Sequence, residues 1–202
     1  MGLTSNNTTK KIYLQIVGGK FAQRVEKGTQ GAVERKNKKE ATVYELLHDR
    51  VSGKIKEIKV EKNEFGKQIL IIMEEVGEVY VITLPVESKY SDSFCSKVGS
   101  ADLSSTIELV PYSFQPADSK TKRTGLNLYQ NGVKLDYFFT KENPKNKPVP
   151  HGGGLLSEED YKIFKLQERK FFCEYISGMD KIPAKKEDVV SSQISSGDSL
   201  PF

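Results

Sequence analysis

Gly53-Lys-Ile-Lys-Glu-Ile-Lys-Val60, followed by Gln68-Ile-Leu-Ile-Ile-Met73 and Val79-Tyr-Val-Ile-Thr-Leu84, decides the fold class of this 202-residue chain. The first segment alternates charged and apolar residues, the period of a strand with one wet and one buried face. The alternation slips once, between Ile55 and Ile58. Such a slip predicts a β-bulge, the device by which a single strand bends. Phe65-Gly66 supplies a turn, Gln68 to Met73 a near-continuous apolar strand, and Gly77 a break before the third strand. A long bent strand therefore opens an antiparallel meander.

Outward from this segment the chain reads as more short strands between turn signals. Ile12 to Val17 and Phe21 to Val25 flank Gly18-Gly19 and form a hairpin. Lys27 to Glu40 reads as a loop, strongly basic at its end, and Thr42 to Leu47 as a strand. After the meander, Tyr90 to Ser100 is a loop or short helix and Ser105 to Phe114 a strand. Pro116 to Gly125 is a basic loop. Leu126 to Tyr129 and Val133 to Phe139 then flank Asn131-Gly132, a strong hairpin signal. Residues 11–140 are thus expected to form one mainly β body. The order of a bent strand, two meander strands, a connecting helix and a closing hairpin matches an OB-fold-like barrel with an extra N-terminal hairpin.

The flanks differ. Residues 1–10 are polar and aperiodic and are expected to be disordered. Residues 141–179 read as a Pro/Lys/Gly-rich connector and a helix capped by Ser157, with Glu158, Glu159 and Asp160 where the macrodipole favours acids. Tyr161, Phe164, Glu168, Phe172 and Tyr175 recur at helical spacing, a stripe for packing on the body or, alternatively, on a second copy. Gly178 is expected to end the helix. Residues 180–202 read as a flexible acidic tail.

Composition narrows the function. No apolar run reaches the roughly 20 residues of a membrane span, and no signal-peptide pattern opens the chain, so a cytoplasmic protein is expected. Cys95 and Cys173 have no CxxC spacing, and His48 and His151 stand apart from any acid or nucleophile set. Gly18-Gly19-Lys20 lacks the remainder of a phosphate loop. No enzyme activity, cofactor or metal is therefore expected. Residues 1–150 hold 24 Lys and Arg against 18 Asp and Glu, whereas residues 151–202 hold 7 against 9. A basic body with an acidic end is the charge layout of a polyanion binder carrying a partner-binding tail.

Single-stranded nucleic acid requires cations for phosphates and flat aromatic faces for bases. Lys54, Lys56 and Lys59 alternate along the bent strand, with Phe65 in its turn. Tyr80 lies on the third strand of the meander. Tyr112 and Phe114 precede the loop cations Lys120, Lys122 and Arg123, and Tyr129 faces away from Leu126 and Leu128. Arg35, Lys36 and Lys38 add a second basic cluster. Each of these also has a plain structural reading, as core aromatic or as solvated cation.

The chain ends Gly197-Asp198-Ser199-Leu200-Pro201-Phe202. An apolar ring beside a free carboxylate suits capture in a partner's apolar pocket rimmed by cations. This ending resembles that of bacterial and phage single-stranded DNA-binding proteins, which finish with an acidic stretch, an apolar residue, Pro and Phe. Asp198, Leu200, Pro201 and Phe202 match that tip, although the usual run of acids is thinned. The resemblance implies sequence-independent coating of single-stranded DNA in (phage) replication and recombination, with the tip recruiting replication proteins. A protein-interaction adaptor and a single-stranded RNA binder are the alternatives, and homo-oligomerisation stays open.

Overall fold

The computed structural model describes residues 10–37, 39–64, 66–150 and 156–179; Lys38, Phe65 and the tail residues Asp198, Leu200, Pro201 and Phe202 lie outside the described residues. The strands are β1 (Lys11–Val17), β2 (Lys20–Val25), β3 (Val33–Lys36), β4 (Thr42–His48), β5 (Val51–Asn63), β6 (Gly66–Glu75), β7 (Glu78–Pro85), β8 (Thr106–Phe114), β9 (Arg123–Gln130) and β10 (Val133–Lys134). Helix α1 spans Lys89–Val98 and α2 Glu158–Met179. The chain is mainly β, with one C-terminal helix. Its strands form one ten-stranded mixed sheet in the order β10-β9-β8-β5-β6-β7-β1-β2-β4-β3. All pairs are antiparallel except β1 with β7. The order is linear, and among the described residues no pairing closes it into a barrel.

β5 organises the sheet. Its first residues, Val51 to Lys54, pair with β8, while Lys54 to Asn63 pair with β6. The register shifts between Ile55 and Glu57, so the slip in the sequence is a bulge at Lys56. The bend this imposes lets β5 serve two neighbours of different direction. Ile55, Ile58, Ile69, Ile71, Met73, Ile82 and Leu84 then share one core cluster with Ile107, Leu109, Leu126 and Leu128. Leu14 and Phe21 of the N-terminal hairpin join the same cluster.

The sheet curls enough to bring strands from distant places in its order together. A Cβ at Gly19, in the β1–β2 turn, would lie 2.5 Å from the backbone nitrogen of Ser113 on β8. Gly19 also has φ +88°, a conformation that strains any other residue. Glycine is thus required twice over where the hairpin turn meets β8.

Two stretches differ from the sequence reading. The expected loop at 27–40 contains β3, which pairs with β4 from Val33↔Glu45 to Lys36↔Thr42. Arg35 fixes it there, its guanidinium donating to both carboxylate oxygens of the buried Glu45 at 2.8 and 2.6 Å. Conversely, the expected strand at Val133 to Phe139 pairs only at Val133 and Lys134. After one more bond to β9, from the Leu135 N–H to Leu128 O at 2.8 Å, the chain leaves the sheet, with the Phe138 N–H donating to Ser96 O of α1 at 2.7 Å.

This departure places Phe139 among Phe171, Phe172 and Tyr175 of α2, with ring centroids 5.1 to 6.0 Å from its own. Phe172 and Ile176 belong to the main core, so α2 packs on the body. The docked side begins at Lys165, which reaches Asp92 of α1 at 2.8 Å. Tyr161, the expected start of the stripe, is therefore exposed, and the helix runs through Gly178. Beside the core, Glu168 pairs with Lys147 at 2.8 Å and with Lys165. Burial pushes the Glu168 carboxyl upward, but its two ammonium partners outweigh that and hold it below the usual range. Among the described residues no helix is long and apolar enough to cross a membrane.

Candidate nucleic-acid interface

Alternation along β8 and β9 defines two faces. Ile107, Leu109, Leu126 and Leu128 enter the core. Glu108, Val110, Tyr112 and Phe114 of β8, with Arg123, Gly125, Asn127 and Tyr129 of β9, alternate with them and take the opposite face. The register places Phe114 beside Arg123, Tyr112 beside Gly125, Val110 beside Asn127 and Glu108 beside Tyr129.

Tyr112 is held flat on this face. A Cβ at Gly125 would sit 2.5 Å from the Tyr112 hydroxyl and 2.6 Å from the Ser93 hydroxyl oxygen. The phenol therefore crosses β9 through space that only glycine leaves open, and its hydroxyl ends beside α1. Partial burial is the main cause that raises its pKa, and Tyr137 adds to the shift. Phe114 lies next along β8, its ring centroid 6.0 Å from that of Tyr112 at 44°, and it is 51% exposed. Tyr137 is also half-exposed, with the Lys97 ammonium 5.1 Å from its ring centroid. Three aromatic rings thus share one surface.

Cations surround them. Lys120, Lys122 and Arg123 are exposed and have no ion pair among the described residues. Lys134 pairs in register with Tyr129. Lys97 is buried in α1, where it donates to Leu126 O at 2.9 Å and to Asn127 Oδ1 at 3.2 Å. Burial lowers its pKa, and the neighbouring Lys134 lowers it further. Beyond Tyr129 the face continues as a groove of about 580 Å³ lined by Arg50, Ser52, Glu108, Val110, Tyr129 and Asn131.

Of the residues singled out in the sequence, Tyr112, Phe114 and Arg123 lie together, Tyr129 lies further along the same face, and Lys120 and Lys122 lie in the adjoining loop. The others fall elsewhere. Lys56 pairs with Glu74 at 2.9 Å, and Lys59 with Glu57 and Glu61 at 3.3 and 2.9 Å. Lys54 has no ion pair among the described residues, one strand away on β5. Arg35 and Lys36 sit on β3 at the far end of the strand order, and Lys36 approaches Glu40 at 3.7 Å.

Tyr80 packs toward the core side of β7 and lines a second hollow with Glu75 and Glu78. Its hydroxyl donates to Glu78 at 2.5 Å, and this bond is the main reason its pKa is pushed up to about 12. It shares neither the face nor the charge of the Tyr112 surface. Sequence reasoning missed Tyr137 and Lys134, read only as part of a strand, and Lys97. Nothing in the local sequence of Lys97 indicates that it reaches β9.

No protein-family description, curated protein or solved structure matches this chain.

Proposed function

We propose that this chain binds single-stranded nucleic acid, DNA in the first instance, through the β8–β9 face, and does so without needing a particular sequence. One observation carries the reading: Tyr112, Phe114 and Tyr137 share a surface flanked by Lys120, Lys122 and Arg123, which have no ion pair among the described residues. The half-exposed rings of Phe114 and Tyr137, with the partly exposed Tyr112 beside them, offer every base a π-face, and the cations beside them take the phosphates. The chain order supports it: a bent strand pairing two neighbours, a meander, a helix and a further antiparallel pair resemble, in an open sheet, the order of elements in an OB-fold. In that plan the loop between the last two strands is a ligand loop, and here it carries Lys120 and Lys122. Tyr112 and Phe114, however, lie on the fourth strand of that plan rather than on the second and third, and Tyr137 follows the last strand.

Fluorescence anisotropy of labelled oligo-dT tests this, with duplex DNA and RNA of equal length alongside. Neutralising about five phosphates gives a log–log salt slope near −3.5, taking about −0.7 per contact for single strands. Replacing Lys120 and Lys122 with Gln reduces the slope by about 0.7 for each cation. Equal binding of duplex, or a slope near zero, contradicts the proposal.

The tail completes the reading. Phe202, with Pro201, Leu200 and Asp198, is proposed to recruit replication proteins. Deletion of Ser196 to Phe202 leaves oligo-dT affinity equal or higher and abolishes recruitment in a pull-down. Capture of the same proteins by the truncated chain rules the tail out.

A further inference from the structure

Asn127 lies one strand step beyond Gly125 on the aromatic face, opposite Val110. Its amide can be oriented without ambiguity. The group beneath it is the Lys97 ammonium, 3.2 Å from Oδ1, and an ammonium donates only. The amide oxygen must therefore turn inward. The amide NH₂ is left on the other side, with no hydrogen-bond partner among the described residues. Lys97 is itself fixed by Leu126 O and by the Tyr137 ring, so the arrangement is braced on three sides.

We infer that Asn127 is a specificity residue of this face: its outward NH₂ donates to the exocyclic carbonyl of a base stacked on Tyr112 or Tyr137, and so favours thymine over adenine. Lys97 is the positioning residue that sets the polarity of this contact. The inference rests on the proposed binding of single-stranded nucleic acid. Thymine offers the O4 acceptor where adenine offers the N6 amino donor. Two amino groups facing each other cannot bond, so adenine must shift in its stack to present N1 or N7 instead, and loses part of the contact. Stacking supplies affinity for any base, and Asn127 adds a bias to it.

The test compares oligo-dT and oligo-dA of equal length against the full chain and three variants, each checked for fold by circular dichroism. A net hydrogen bond corresponds to about 2- to 12-fold in affinity. Asn127→Ala is expected to lower the dT:dA affinity ratio by that factor. Oligo-dA stacks on itself and binds less well for that reason alone, but this handicap is common to all variants and cancels in the comparison. Asn127→Asp keeps the size and the Lys97 contact but turns an acceptor outward, and it is expected to shift the ratio further toward dA. Lys97→Met frees the amide to rotate and moves the ratio in the same direction as Asn127→Ala.

A dT:dA ratio unchanged in folded Asn127→Ala and Asn127→Asp, with oligo-dT still bound, overturns the inference and leaves the binding reading intact. Absence of oligo-dT binding by the unaltered chain overturns both. A shift toward dA in Asn127→Asp is an effect that loss of packing alone does not produce.

Discussion

Replacing Tyr112 and Phe114 together with alanine is expected to weaken oligo-dT binding by at least about 2 kcal/mol, roughly 30-fold. A stacked base is worth about 1–3 kcal/mol by alanine substitution, and the two rings lie 6.0 Å apart, so they serve neighbouring positions on one strand. Their contact means that the single replacements need not sum to the double one. The loss should be nearly independent of salt, because no cation is removed. That separates it from the Lys120 and Lys122 replacements, which alter the slope. Folding should be little affected by the loss of Phe114, which is half in water. Titration of the double variant at two salt concentrations checks this. An affinity within twofold of the unaltered chain at both would remove the aromatic face from the mechanism.

How much of this was legible in the sequence depended on whether the cause was local. The bulge at Lys56 could be read because a slip in a period-two pattern leaves its mark on adjacent residues. The hairpin about Gly18-Gly19 and the cap at Ser157 were readable for the same reason. β3 was not, because what holds Arg35 in a strand is Glu45, ten residues away and itself buried. The end of β10 was equally hidden, since Phe138 and Phe139 leave the sheet for α2, more than thirty residues further along.

The candidate site divides along the same line. Tyr112, Phe114 and Arg123 could be named as an aromatic–basic cluster because they flank one loop. The flat pose of Tyr112 depends on the absence of a side chain at Gly125 across the strand pair. The orientation of Asn127 depends on Lys97, thirty residues away on a helix. Conversely, Lys56 and Lys59 looked like free cations in the sequence. The carboxylates that neutralise them also sit on the wet side of β5 and β6, where such pairs form readily and contribute little.

Phe172→Ala is expected to give the opposite signature to the paired Tyr112 and Phe114 replacement. Phe172 is 3% exposed, belongs to the main core, and its ring lies 6.0 Å from that of Phe139. Truncating a ring in such a place costs about 3–5 kcal/mol, a large part of the 5–15 kcal/mol typical of a folded domain. Part of the cost arises because Lys147, whose ammonium lies 5.8 Å from the Phe172 ring centroid, loses that neighbour while still bound to Glu168. The measurement is a urea melt, in which the midpoint should fall sharply with little change in slope. Oligo-dT affinity measured well below the new melting temperature should stay within about twofold, since α2 contributes no ring to the β8–β9 face. A loss of affinity in folded Phe172→Ala would mean that α2 supports the aromatic face through α1, where Lys165 meets Asp92 and Tyr112 ends beside Ser93. A midpoint that did not move would mean that α2 is not docked on the body in solution.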